Sequence, residues 1–325
     1  MLLLSETDVR EVLSMPDLID GMQAALAAFS VGEVQQPLRT VLEVGNARAF
    51  FGVMPAFVPA SGALGTKLVT VFGNNAALGL PTHLATIVLL DPATGALRCV
   101  LDGRYITEAR TAAVSAVSVK LLARPDAATL AIIGSGVQAR SHLEAIAHVR
   151  PLREVRVWSP TPRHRERFAQ EARTLTTAAV QVADDARAAV EGADLIALAT
   201  ASREPVISSS WVADGAHICA VGACRPDQRE MSTELVRRAR LFVDSRQGAL
   251  AEAGDIVLPI NERAFDAGHI AGELGELAAG RVQGRSGPSE VTVFKSLGMA
   301  VEDVAAAHLA YDRALARRLG RTLIL

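Results

Sequence analysis

No apolar run in this sequence reaches the roughly 18 residues that a membrane-spanning helix needs, which excludes a helical integral-membrane protein. Basic tracts are missing as well. The 33 Lys and Arg stand against 35 Asp and Glu, a formal net charge of -2, so no long-range field invites nucleic acid or a membrane surface. The opening MLLLSETDVREVL has no basic stretch, and its apolar run is too short for a secretory leader. Cys99, Cys219 and Cys224 form an odd set without metal-type spacing; no disulfide framework and no metal are expected, and a reducing cytoplasm is the expected home. Aromatic residues are only 4% of a chain that is 50% hydrophobic, so its apolar content is chiefly aliphatic. What remains is a soluble globular protein whose 325 residues can bury two domain-sized cores.

The most informative segment runs from Ala128 to Val149: an apolar β-type run, then Gly134-Ser135-Gly136-Val137-Gln138-Ala139, then an amphipathic helical pattern. A dinucleotide site needs that order. The first glycine makes a tight turn, the second lets backbone approach a pyrophosphate, and the small third residue lets helix pack on strand. The helix then presents unpaired N–H groups and its positive dipole end to the phosphates.

From there the chain alternates strands expected at 128–133, 154–159, 179–183, 193–200, 217–222 and 240–245 with helices at 137–149, 162–176, 184–191, 232–239 and 246–252. This predicts an α/β fold with a Rossmann-type, doubly wound parallel sheet over residues 124–298. No further strand–helix alternation is expected after Gly275. The first part reads as a separate α+β domain over 1–123. A helix around 16–31 precedes β-type segments at 38–44, 48–53, 65–72, 83–90 and 96–102, with a hairpin turn at Asp91–Gly95. Thr107 is expected to cap a helix over 108–123 whose first turn carries Arg110 and Thr111. A helical stretch at 298–318 is expected to bring 299–325 back to the first domain.

An NAD-preferring site usually ends its second strand in an acidic residue. Here that strand ends in Ser159-Pro160-Thr161-Pro162-Arg163-His164, hydroxyls and cations without a carboxylate, which favours NADPH and leaves NADH possible. Topology places the ends of the fourth and fifth strands, Ala199-Thr200-Ala201-Ser202 and Val221-Gly222-Ala223-Cys224, near the nicotinamide. In the first domain Arg39, Lys67 and Arg110 are cations in apolar or helix-start surroundings, where a buried charge calls for an anion. His83 follows Thr82 and is a candidate proton donor, with a structural hydrogen-bonding role equally open.

The segments GVMPA (52–56), TKLVT (66–70), LPTHLATIVLL (80–90), LDGRYITEARTAAVSAVS (101–118), IIGSGVQARSH (132–142), GAHICAVGACRPDQRE (215–230) and TVFKSLGMAVED (292–303) are collinear and span both domains. With them the chain resembles the ornithine cyclodeaminase/mu-crystallin family. The resemblance implies an N-terminal dimerisation and substrate domain, completed by the C-terminal helix, around a Rossmann domain. It implies that Arg39, Lys67 and Arg110 clamp a substrate carboxylate. It also implies that Thr82, Thr111, the 134–139 loop, Thr200, Ser202, Val221 and Ser296 line the cofactor. Cyclodeaminases of this family carry an Asp where Cys224 stands and a Glu where Gly52 stands, so the chain is closer to the mu-crystallin branch, which reduces cyclic ketimines.

The expected activity is NAD(P)H-dependent reduction of Δ1-pyrroline-2-carboxylate or Δ1-piperideine-2-carboxylate to proline or pipecolate. Ornithine cyclodeaminase, an alanine-type dehydrogenase and a non-catalytic ligand-binding protein are the alternatives. A homodimer is expected from the resemblance, with 83–90 and 96–102 as the strand edges it would cover.

Overall fold

A computed structural model of the chain describes residues 1–45 and 49–324. Position 48, the first of the strand expected at 48–53, and position 325, the last of the segment expected to return, lie outside the described residues. The chain forms two compact units, Met1–Arg110 with Met299–Leu325, and Thr111–Gly298.

The first unit opens with β1 (Leu2–Leu4), α1 (Glu6–Val12) and α2 (Met15–Ser30). Ser5 and Ser14 cap the two helices, each accepting from a backbone N–H three residues on, at Asp8 and Asp17. A meander follows: β2 (Thr40–Val44), β3 (Ala49–Val58), β4 (Ala63–Val71), β5 (His83–Leu90) and β6 (Leu97–Asp102). The hairpin before β6 closes on Asp91, whose Oδ1 accepts from the N–H groups of Ala93 and Thr94.

α3 spans Arg104–Leu122, so it starts four residues before the expected 108. Asp102 accepts from the Tyr105 N–H, while Thr107 Oγ1 donates back to the Gly103 carbonyl from inside the helix. Thr107 is therefore not the cap, and Arg110 and Thr111 stand in the second turn.

In the second unit β7 (Thr129–Ile133), α4 (Val137–Val149), β8 (Glu154–Trp158), α5 (Pro162–Leu175), β9 (Ala179–Val182), α6 (Ala186–Val190) and β10 (Leu195–Leu198) come first. β11 (His217–Ala220), α7 (Thr233–Arg238), β12 (Arg240–Val243), α8 (Arg246–Glu252), α9 (Gly254–Asn261), β13 (Ile270–Glu273), α10 (Leu274–Ala278) and β14 (Thr292–Lys295) follow. The chain ends in α11 (Ala300–Arg317) and β15 (Arg321–Thr322), within the first unit.

The first unit's sheet runs β15-β1-β6-β5-β4-β3-β2, antiparallel from β2 to β6. The segments expected as edges, β5 and β6, are interior strands; the edges are β2 and β15. A two-residue period cannot tell an edge from a centre, because neighbours are chosen by tertiary pairing. One face of this sheet carries Met54, Ala56, Lys67, Ile87 and Leu89, all buried, and α11 packs on β3, β4 and β5 with α2 beside it.

The second sheet runs β13-β12-β14-β11-β10-β7-β8-β9 and is parallel throughout. Consecutive residues feed opposite cores: Ala131, Ile133, Ile196 and Leu198 lie in one, Leu130, Ile132, Leu195 and Ala197 in the other. The expectation of no strand after Gly275 is corrected by β14, which sits between β11 and β12. All four of its residues are buried and one is a lysine, so it offers neither an apolar run nor an alternation to read.

Candidate active site

In the first unit, the alternation of β4 turns Lys67 onto the covered face, opposite Met54 on β3 and Ile87 on β5. Only 2% of Lys67 and 4% of Arg110 are exposed. Both reach carboxylates from the first turn of α11, where acidic residues also favour the helix dipole. Lys67 Nζ lies 2.6 Å from Asp303 Oδ2. Arg110 Nε donates to Asp303 Oδ1 at 2.8 Å and its Nη1 to Glu302 Oε2 at 2.5 Å.

Asp303 thus bridges the two cations. Burial lowers the Lys67 pKa to about 8, with Asp303 opposing and Arg110 and Arg39 adding to the depression. His83 shares the Lys67 face of β5, and burial, Lys67 and Arg110 lower its pKa to about 4. At pH 7 the ring is therefore neutral and keeps a single N–H donor. Thr82, just before it, is exposed. A Cβ added at Gly52 would lie 2.9 Å from Val69 Cγ1, so a larger side chain there needs Val69 to move.

In the second unit, the turn between β7 and α4 has the form a dinucleotide requires. Gly134 has φ +129, and a Cβ on it would fall 2.5 Å from the Ala199 carbonyl oxygen. Gly136 caps α4 without any side chain bonding the first turn, and a Cβ on it would meet nothing within 4 Å. Gly136 and Val137 are exposed, Ser135 and Gln138 half-buried, and Ala139 fully buried against the sheet. Free N–H groups facing an open cradle fit a pyrophosphate.

At the end of β8, Ser159 is buried and its Oγ accepts from Ser135 Oγ at 3.0 Å, while Thr161, Arg163 and His164 after it are exposed. After β10, Thr200 and Ser202 are half-buried and Ala201 exposed. After β11, Val221 donates to the Leu198 carbonyl, and the N–H groups of Gly222 and Ala223 go to Glu230. Cys224 Sγ donates to the Val221 carbonyl at 3.2 Å. Ser296 is buried, its hydroxyl turned onto Asp244 at 3.4 Å, and Thr111 is half-buried on α3. Among the described residues, Cys99, Cys219 and Cys224 form no disulfide.

Over residues 1–318 the sequence matches the model of the ornithine cyclodeaminase/mu-crystallin family. The chain belongs to that family. This family member is 45% identical over 313 residues to the ketimine reductase mu-crystallin of Mus musculus, covering 95% of this chain and 96% of that one. It is similar to the Δ1-pyrroline-2-carboxylate reductase of Thermococcus litoralis, solved in complex with NADH and L-proline. There the TM-score is 0.97 and the identity 40%, over 99% of this chain and 100% of the other. An archaeal alanine dehydrogenase, solved as a dimer with bound NAD, matches with a TM-score of 0.95 and 30% identity over 100% and 99% of the two chains.

Five charged residues of this family member escaped the sequence reading: Glu302 and Asp303 behind the cations, and Glu230, Asp255 and Lys295 beneath the strand ends. All are fully buried. Three of them, Lys295, Glu302 and Asp303, stand in the segment TVFKSLGMAVED and Glu230 closes GAHICAVGACRPDQRE, but burial of a charge is a tertiary property that a motif does not display.

Proposed function

We propose that the protein reduces a cyclic ketimine carboxylate, Δ1-pyrroline-2-carboxylate or Δ1-piperideine-2-carboxylate, to L-proline or L-pipecolate with NAD(P)H. The observation that carries this reading is the near full-length likeness to a ketimine reductase and to a pyrroline-2-carboxylate reductase. In it, Lys67, Arg110 and Arg39 hold the substrate carboxylate as charge-assisted donors, and Asp303 and Glu302 hold Lys67 and Arg110 in place. The Gly134–Ala139 turn would hold the pyrophosphate, and Thr161 and Arg163 the 2′-phosphate of NADPH, with Ser159 behind them. Thr200, Ala201, Ser202, Val221 and Gly222 would line the nicotinamide end, joined by Thr82, Thr111 and Ser296. Bound there, the reduced nicotinamide supplies a hydride for C2 of the protonated imine. The protein contributes orientation, and Lys67 with the two arginines fixes the carboxylate end of the substrate.

Cys224 cannot supply the carboxylate that the family's deaminases use, and Gly52 offers no partner for a distal ammonium. Its thiol shapes the pocket wall. The first unit serves substrate and dimerisation, and the second the dinucleotide. The homodimer forms through the sheet face opposite Lys67, where Phe51, Val53, Leu64, Leu68, Leu84 and Val88 are apolar and at most half-buried, beside β2 with Leu42 61% exposed. A reducing cytoplasm suits cysteines that form no disulfide.

An assay of NADPH and NADH oxidation with both imines, alongside pyruvate plus ammonia and ammonia release from ornithine, tests the reading. Turnover of an imine at a rate well above the other two reactions is expected. Deamination of ornithine, or use of pyruvate and ammonia with neither imine reduced, would overturn it in favour of cyclodeaminase or alanine-type dehydrogenase.

A further inference from the structure

From its β9 edge the second sheet runs β9-β8-β7-β10-β11-β14, the 3-2-1-4-5-6 order in which each half of a Rossmann fold serves one nucleotide. At the start of its second half, the loops after β10 and β11 are joined by one side chain, Glu230, which is 0% exposed. Its Oε1 accepts from the Thr200 N–H at 2.6 Å and from Thr200 Oγ1 at 2.8 Å. Its Oε2 accepts from the N–H groups of Gly222 at 2.8 Å and Ala223 at 3.2 Å. Four donors fill both oxygens. Only a carboxylate, an acceptor at both ends, can satisfy that set; an amide would turn a donor toward donors.

Glu230 is itself fixed. Asp255 Oδ1 accepts from the N–H groups of Glu230 at 2.8 Å and Met231 at 3.0 Å, and its Oδ2 lies 3.4 Å from Lys295 Nζ at the end of β14. The Lys295 ammonium is fully buried beside Asp255, and against the effect of burial the charges of Asp255 and Glu230 raise its pKa, so it acts as the countercharge to these carboxylates. There is no slack around the arrangement: a Cβ on Gly222 would fall 2.0 Å from the Thr200 carbonyl oxygen and 2.5 Å from Glu230 Oε1.

We propose that Glu230 is a positioning residue for the nicotinamide half of the cofactor site. It ties the two strand-end loops at one separation, and so governs affinity for the nicotinamide end while leaving the adenosine half, built from β7, α4 and β8, unchanged. This rests on the dinucleotide reading above. A side chain that only filled space would affect both halves alike, or neither.

The test compares binding of two pairs of molecules by calorimetry: NADPH with its fragment 2′-phospho-ADP-ribose, and NADH with ADP-ribose, the fragments lacking nicotinamide. In Glu230→Gln the intact cofactors should bind about tenfold or more weakly, as expected for unsatisfied buried donors, while the fragments stay within about twofold of wild type. Glu230→Asp, which keeps the charge, should recover part of the loss. If Glu230→Gln does not fold, Asp255→Asn, which loosens the anchor of Glu230 without altering either strand-end loop, should weaken the intact cofactors several-fold with the fragments unchanged. Equal weakening of cofactor and fragment, or unchanged cofactor binding in the folded variant, would overturn the proposal. A wild-type protein that binds neither cofactors nor fragments would instead overturn the dinucleotide reading itself.

Discussion

Replacing Asp303 by Asn tests the carboxylate clamp through its pH dependence. In the wild type, Asp303 lies 2.6 Å from Lys67 Nζ and 2.8 Å from Arg110 Nε, all three being buried. Removing one partner of a buried ion pair costs about 3–5 kcal/mol. Shared between two cations, roughly 1.5–2.5 kcal/mol of that falls on Lys67, or about 1–2 pKa units. The Lys67 pKa, already lowered by burial to about 8, should therefore drop to roughly 6–7. Lysine holds a carboxylate only while protonated, so wild-type kcat/KM should fall as pH rises through about 8, and the break should come earlier in Asp303→Asn.

At pH 7.5 the loss of protonated Lys67 alone predicts a roughly 3- to 25-fold lower kcat/KM, shrinking toward pH 5.5. The assay is NADPH oxidation with Δ1-pyrroline-2-carboxylate from pH 5.5 to 9.5. The ratio of variant to wild type cancels the ionisation of the imine itself. An unmoved break, or one that moves to higher pH, would refute the assignment of Lys67 to the substrate carboxylate.

Acid should unfold the protein through His142 and His217, whose burial lowers their pKa values to about 4 and about 3. Below pH 6.5 the unfolded chain binds protons that the folded one refuses, so stability is lost as pH falls, by about 3 kcal/mol between pH 6.5 and 5 for the pair. Urea midpoints that do not fall over that range would contradict this. Arg163→Ala should raise the KM for NADPH about tenfold and leave NADH unchanged, since the exposed guanidinium is the cation assigned to the 2′-phosphate; equal KM changes for both cofactors would remove it from that role. Cys224→Ser should retain most imine reduction, because its Sγ contact to the Val221 carbonyl is one a hydroxyl can keep, and abolished turnover with intact NADPH binding would make the thiol essential. Light scattering at micromolar concentration should give a dimer mass, and Leu42→Lys on the exposed β2 should weaken it; a wild-type monomer would leave the apolar sheet face without an explanation.

By itself the sequence determined the family, the Rossmann pattern and the helix Val137–Val149 with its glycine turn, because these depend on local periodicity and on residues whose backbone freedom is intrinsic. Lys67 inside an apolar strand was legible as a charge needing an anion for the same local reason. Which anion it meets was not legible. Asp303 lies 236 positions further along the chain, and only the packing of α11 on β4 brings the two together. Tertiary structure likewise decided the central place of β14, the interior position of β5 and β6, and the earlier start of α3, where Asp102 rather than Thr107 takes the first free N–H groups. Glu230 shows the division most plainly. Its place in the sequence is an ordinary loop carboxylate, and its partners at Thr200, Gly222 and Ala223 exist only because parallel strands put the ends of β10 and β11 side by side.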